Sequence, residues 1–270
     1  MPAGTGPDPA AAAAQSGPVI VAAFRFSGVQ ALQSVLSGYP GLTCTTGSGI
    51  IAACATAMSA WQQVEQARTP SQLAASSVRA LASSMITRIL AADGGTRWCD
   101  VVSASADAMA VFARLYPRAR FICLHRACDK TVAAATAVSR WGLGSTGVAE
   151  FAAAYPGNSV AAVAAYWRAS TSGLLDFEQA HQDRTLRLRH EDLAASPEQA
   201  AAGIAGFLGL PACQPGGPVP PPDAAPDGQD RAAQPVPLQL IPAPMLTLVN
   251  ELHARLGYPA LAPGQDALSG

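Results

Sequence analysis

Charge is what this chain has least of. Only 13% of its residues are charged, the formal net charge is −1, and Lys130 is the one lysine among 17 basic residues. Such a balance leaves no broad basic surface for nucleic acid or for an anionic membrane, so neither is an expected partner and any anion must be held at a local site. Aromatic residues make up 6%. No apolar run free of charge, proline or glycine reaches the roughly 20 residues that cross a bilayer. The six cysteines form no C-x-x-C pair and no Cys/His zinc spacing, so no metal is expected. The opening MPAGTGPDPAAAAAQSG lacks a basic stretch followed by an apolar one, so reduced thiols in a cytoplasmic protein are the expectation. Three signatures are also missing: the G-x-x-x-x-G-K-[ST] phosphate loop, the G-x-G-x-x-G dinucleotide turn and the G-x-S-x-G nucleophile elbow.

What the chain does have is length and apolar content. Its 270 residues, half of them hydrophobic, suffice for one large α/β domain. Heavy use of Ala, Arg, Gly and Pro looks like a GC-rich coding bias, which inflates the apparent meaning of alanine-rich patches. Residues 1–17 read as a disordered Pro/Gly/Ala tail, 18–260 as the domain, 211–244 as a Pro-rich loop within it, and 261–270 as a second tail. Short buried strands are predicted at Val19–Ala23, Trp98–Val102, Arg120–Leu124 and Leu186–Arg189. Helices are predicted over Val29–Ser37, Ser48–Val64, Pro70–Ala92, Ala104–Leu115, from Asp129 as an N-cap, over Ser159–Gln179, Ser196–Leu208, and in PMLTLVNELHARLGYP up to Gly257. GLGSTG at Gly142–Gly147 reads as a turn. Alternating strands and helices argue for a parallel sheet with helices on both faces.

Two crossings share one design. In PVIVAAFRFSGVQALQSVL a strand breaks on Arg25-Phe26-Ser27-Gly28 and a helix opens directly. The first-turn N–H groups of such a helix lack partners and its dipole adds positive potential, so the turn suits an anion. In YPRARFICLHRACDKTVAAA a strand again precedes an arginine, Arg126, and a helix start. Arginine offers a planar fork for phosphate oxygens. Each crossing alone is equally a plain turn, with Arg25 solvated or Arg126 paired to Asp129.

Together with LRLRHEDLAASPEQAAAGIAGFLGLP, these blocks resemble those of sulfotransferases that use 3′-phosphoadenosine 5′-phosphosulfate (PAPS). The first resembles the family's 5′-phosphosulfate loop and its leucine-rich helix, the second its 3′-phosphate strand, the third its R-Y-E-D-L … F-L-G-L block. RWCD at Arg97–Asp100 and NSVAAVAAYW at Asn158–Trp167 are similar to stretches of bacterial members. The resemblance spans about Pro18 to Tyr258. It implies a P-loop-NTPase-like three-layer α/β sandwich, a parallel sheet flanked by helices on both faces. It also implies a divergent bacterial enzyme that moves a sulfuryl group from PAPS, without a metal, to a hydroxyl or amine of a small-molecule acceptor in specialised metabolism. Arg25, Phe26, Ser27, Gly28, Val29 and Gln30 then surround the phosphosulfate, while Arg126 meets the 3′-phosphate with Ala134 where the family places a serine.

The chain departs from the family in its details. Phe26 stands where an arginine or lysine precedes Ser-Gly, and Val29-Gln30 replace hydroxyl residues. A second reading is therefore a catalytically degenerate relative that serves as a binding or accessory protein. For catalysis, Arg25 is expected to stabilise the leaving phosphate and Asp100 to take the acceptor's proton, with His125 and His190 as alternatives. Trp98, Trp141 and Trp167 read as core or rim, and Cys99, Cys123 and Cys128 as buried thiols. A homodimer stays open.

Overall fold

A computed structural model describes residues 17–65, 71–138, 147–211 and 236–262. The expected tail up to residue 16, the turn at 142–146, Trp141, most of the Pro-rich loop and the end of the chain from 263 lie outside the described residues.

Strand β1 (Val19–Ala23) is buried at all five positions, as a strand covered on both faces must be. It leads into helix α1 (Val29–Leu36), strand β2 (Leu42–Thr46), helices α2 (Ile50–Glu65) and α3 (Ser71–Asp93), and strand β3 (Arg97–Val102). Helix α4 (Ala106–Leu115) follows, then β4 (Arg120–His125), α5 (Cys128–Val138), α6 (Ala149–Ala154), α7 (Ser159–Ala180) and β5 (Thr185–Arg189). Helices α8 (His190–Ala195), α9 (Pro197–Leu208) and α10 (Ala243–Leu256) complete the order. The sheet has 5 strands in the order β2-β3-β1-β4-β5, and every pairing is parallel.

That order makes β1 the point where the chain changes direction. The β1–β2 connection runs one way past β3, and the β3–β4 connection runs back past β1. Right-handed crossovers in opposite directions put α1 and α4 on opposite faces and open a crevice beyond the carboxyl ends of β1 and β4. The packing follows. Val19, Val21, Ile122 and Leu124 meet α1 and α9 on one face, where Leu32, Val35, Leu36, Ile204 and Ala205 are buried. Ile20, Ala22, Phe121 and Cys123 meet α2, α3, α4 and α7 on the other. Trp167 of α7, completely buried, centres a third cluster with α5, α6 and α10.

The three-layer parallel architecture is the expected one, and four local readings change. Strand β2 was not foreseen, because LTCTT is a threonine-rich edge strand with little apolar content. Asp129 does not cap α5 but lies inside its first turn. The last part of the Pro-rich loop is anchored: Leu238 and Ile241 are buried, and α10 already begins at Ala243. Leu261, assigned to a tail, packs on the core and exchanges hydrogen bonds with the Asn250 side chain.

One buried ionic chain ties the sheet to α7. His125 Nε2 lies 2.6 Å from Glu178 Oε1, while Glu178 Oε2 accepts from Arg187 Nε at 2.7 Å. Burial alone would raise the Glu178 pKa, but the hydrogen bonds and charges of His125 and Arg187 outweigh it and hold the group below its ordinary 4.5. A depressed carboxylate pKa contributes stability above the ordinary value that disappears as pH falls through the folded-state value. Glu178→Gln is accordingly expected to be less stable than the parent at pH 7, with the gap closing below about pH 4, as followed by urea unfolding across pH.

Candidate functional site

The crevice at the carboxyl ends of β1 and β4 gathers the loops singled out in the sequence. After Ala23 the chain closes a tight turn in which the Ser27 N–H and hydroxyl both donate to the Phe24 carbonyl, at 3.2 and 2.7 Å. Phe26 is left-handed, with φ 68°, alone among the described non-glycine residues, and Gly28 follows with φ 81°. A bulky residue held left-handed costs roughly 1–2 kcal/mol, so surrounding contacts must hold this turn in place. Helix α1 starts at Val29 with no side-chain cap and no acidic residue in its first turn. Its positive end therefore faces the crevice uncompensated. Val29 is half-buried and Gln30 exposed.

Arg25 is exposed, with its guanidinium carbon 5.7 Å from the centre of the Phe26 ring. Its backbone N–H donates to the Tyr166 hydroxyl at 3.0 Å, and that ring is held edge-on by Phe24 and Phe151. Arg126, 6% exposed, donates from Nη1 to the Phe26 carbonyl at 3.0 Å. Trp167 Nε1 in turn donates to the Arg126 carbonyl at 2.8 Å. The two arginine-bearing crossings thus meet at Phe26. Ala134 lies further along α5, half-buried.

The start of α5 differs from that of α1. Its leading N–H groups already have acceptors: Ala127 donates to Glu191 Oε1 at 3.0 Å and Cys128 to His253 Nε2 at 3.1 Å. His253 accepts at Nε2 and donates from Nδ1 to the Pro259 carbonyl, which makes it a neutral imidazole. Burial keeps its pKa below the ordinary histidine value. The second oxygen of Glu191 accepts from the Tyr258 hydroxyl at 2.7 Å. Next to it, the His190 ring presses on the first loop, since a Cβ on Gly28 would come within 2.0 Å of His190 Cδ2.

Beside Arg25 opens a chamber of about 360 Å³ between the ends of β1 and β3 and helix α7. Arg25, Tyr166, Ser103, Ser105 and Ser170 are among its lining residues, together with several alanines. The residues expected to act as base are elsewhere. Asp100 sits within β3 rather than at its end, fully buried. Its Oδ1 accepts from Thr45 Oγ1 at 2.8 Å and its Oδ2 from Ser48 Oγ at 2.6 Å. Burial raises the Asp100 pKa, and these hydrogen bonds oppose the rise. The carboxylate clamps the turn before α2, a role without open access to an acceptor. His125 is committed to Glu178, and His190 to the Gly28 contact. Tyr166 and His253 were not singled out in the sequence, although Tyr166 and Glu191 each lie in a block that resembles the family. No group of side chains fit to hold a metal occurs among the described residues, and no described helix is long and apolar enough to cross a membrane.

With this geometry in view, the chain matches the family model described as "Sulfotransferase family" over residues 18–215. No curated protein matches its sequence. Among solved structures it resembles the sulfotransferase domain of the Synechococcus PCC 7002 olefin synthase, at 16% identity over 90% of this chain and 94% of that one, with a TM-score of 0.55. It also resembles the sulfotransferase domain from the curacin biosynthetic pathway, at 14% identity over 91% and 99% of the two chains, with a TM-score of 0.57. A third is a sulfotransferase from Mycobacterium avium, at 11% identity over 92% and 78%, with a TM-score of 0.55. At these identities the structures speak to the fold.

Because Gly28 combines a left-handed backbone with ring contact, Gly28→Ala is expected to destabilise the protein by about 2 kcal/mol or more. Adding His190→Ala should recover the steric part and leave the roughly 1 kcal/mol left-handed cost, as resolved in a double-mutant cycle of urea unfolding.

Proposed function

The chain belongs to the sulfotransferase family, and from that premise we propose that it moves a sulfuryl group from PAPS to a hydroxyl or amine of a small-molecule acceptor. The observation that carries this reading is the meeting of the two crossings at Phe26, where Arg126 reaches the loop that Arg25 begins. In this reading Ser27, Gly28, Val29 and Gln30 present the open start of α1 to the 5′-phosphosulfate, and Arg25 flanks its oxygens. Arg126, ahead of the helix α5 that carries Ala134, addresses the 3′-phosphate. The start of α5, occupied by Glu191 and His253, contributes less there than its place in the fold suggests.

Sulfuryl transfer needs in-line placement and stabilisation of charge on the departing oxygens more than covalent chemistry by the protein. The acceptor atom attacks sulfur and releases its proton to water as the bond to the 5′-phosphate oxygen breaks, and adenosine 3′,5′-bisphosphate departs. The 360 Å³ chamber beside Arg25 supplies the acceptor's place, with Tyr166 and the serine hydroxyls orienting it. Asp100 acts by fixing the turn before α2, not as the base. Two of the similar structures are sulfotransferase domains of biosynthetic systems, an olefin synthase and the curacin pathway, which favours an acceptor from specialised metabolism.

A degenerate relative that keeps the fold without the donor is the second reading, favoured by Phe26 in place of a cation and by the occupied start of α5. Calorimetry with adenosine 3′,5′-bisphosphate separates the two. Binding is expected, weakened about tenfold or more by Arg25→Ala and by Arg126→Ala, as loss of a charge-assisted contact to phosphate requires. Absence of heat at high micromolar nucleotide, with binding restored by Phe26→Arg, Val29→Thr and Ala134→Ser together, would establish the degenerate reading instead.

A further inference from the structure

A second, sizeable cavity lies away from the crevice. It encloses about 760 Å³ between α3 and the amino-terminal edge of the sheet. Gly17 and Pro18 before β1, Gly94–Thr96 before β3, and Pro117 and Arg118 before β4 form one side. The two arginine-bearing crossings leave the other ends of these strands, roughly 15 Å away for strands of this length. Its size falls in the range that takes small molecules.

Its lining has two characters. Ile86 and Leu90 of α3, with Trp98 and Tyr116, give an apolar wall, and the Tyr116 ring is stacked on Phe112 at 4.6 Å. Arg79 and Arg97 bring guanidinium groups to the lining, and no carboxylate lies among the described lining residues. Arg97 is 7% exposed and is held by neutral acceptors: Nε donates to the Gly17 carbonyl and Nη1 to the Leu208 carbonyl, each at 2.9 Å. Arg79 lies over the Tyr116 ring with its guanidinium carbon 5.5 Å from the centre. Burial lowers the Arg97 pKa, and the charge of Arg120 lowers it further, so the site holds positive charge at a cost. An anion offsets that cost, and the apolar wall selects one that carries a hydrophobic body.

We propose that this cavity is a second binding site, for a small amphipathic anion whose carboxylate, sulfonate or phosphate faces the arginines while a ring or short aliphatic body lies on Ile86, Leu90 and Tyr116. The site is distinct from the proposed nucleotide crevice and does not depend on it. Segment 94–98 runs from the cavity straight into β3.

Anilinonaphthalene sulfonate and its uncharged counterpart N-phenylnaphthylamine serve as probes in fluorescence titrations of the full chain. The sulfonate is expected to bind one-to-one, about tenfold more tightly than the neutral probe. Arg79→Glu, at an exposed position on α3, should weaken the sulfonate about tenfold and spare the neutral probe. Thr87→Trp, which fills the cavity, should abolish both while unfolding stays cooperative. Saturating adenosine 3′,5′-bisphosphate should displace neither. Equal affinity for the two probes, unchanged sulfonate binding in Arg79→Glu, displacement by the nucleotide, or no fluorescence change would each overturn the proposal. Comparing the two probes needs only the parent protein, so a misfolded variant does not remove the test.

Discussion

The turn that joins β5 to α8 holds the crevice together. His190 places its ring where a side chain on residue 28 would stand, and Glu191 accepts the Ala127 N–H of the second crossing. One dipeptide at the start of α8, directly after the edge strand, thereby touches the loops after both β1 and β4. This arrangement accounts for otherwise arbitrary choices. Residue 28 must be glycine twice over, for its backbone sign and for the absent side chain. Residue 191 must reach in two directions, toward Ala127 and toward the Tyr258 hydroxyl, which a carboxylate with two oxygens does. Arg189 completes the join by gripping Asp192 through two nitrogens and the Gly257 carbonyl through Nη1. The end of α10 is thus pinned beside the same turn.

The clamp makes the two crossings unequal. The start of α1 presents its dipole with no internal counter-charge, whereas the start of α5 has received a carboxylate and a neutral imidazole. An anion arriving between them feels backbone attraction from α1 and side-chain attraction from Arg25 and Arg126. The left-handed Phe26 belongs to the same economy of contacts. Its carbonyl is held by Arg126 and its ring lies against Arg25, so the two cations stabilise a conformation that its own sterics oppose.

The parallel sheet was legible because its central strands, such as VIVAA and RFICLH, are short apolar runs separated by helical spacing. The loop at Arg25–Gly28 stood out only beside the other blocks, because a glycine turn between strand and helix is equally a plain turn. What escaped shares one cause, contact between residues far apart in sequence. Asp129 looked like a cap because local spacing is all a sequence displays, while the true acceptors for the start of α5 come from Glu191 and His253. Asp100 looked like a reactive carboxylate because RWCD ends near a strand end. Its neighbours Thr45 and Ser48 belong to β2 and the turn after it, a polar edge with no apolar period to betray it.

Alanine enrichment, which composition alone attributes to coding bias, acquires a structural meaning at the chamber beside Arg25. Ala22, Ala23, Ala104, Ala106, Ala169 and Gly173 line it. A Cβ on Gly173 would already reach 3.6 Å from the Ala106 Cβ, so α7 runs close to the start of α4 with no room for longer side chains there. Small residues hold the elements together at close range and still leave about 360 Å³ next to Arg25, the only charged group among the described lining residues. Larger apolar residues at these positions would improve burial and fill the space. The chain gives up that packing next to Arg25, where an acceptor must come within bonding distance of the group it receives, and keeps its bulky side chains, Trp98, Trp167, Phe112 and Phe121, for the completely enclosed core.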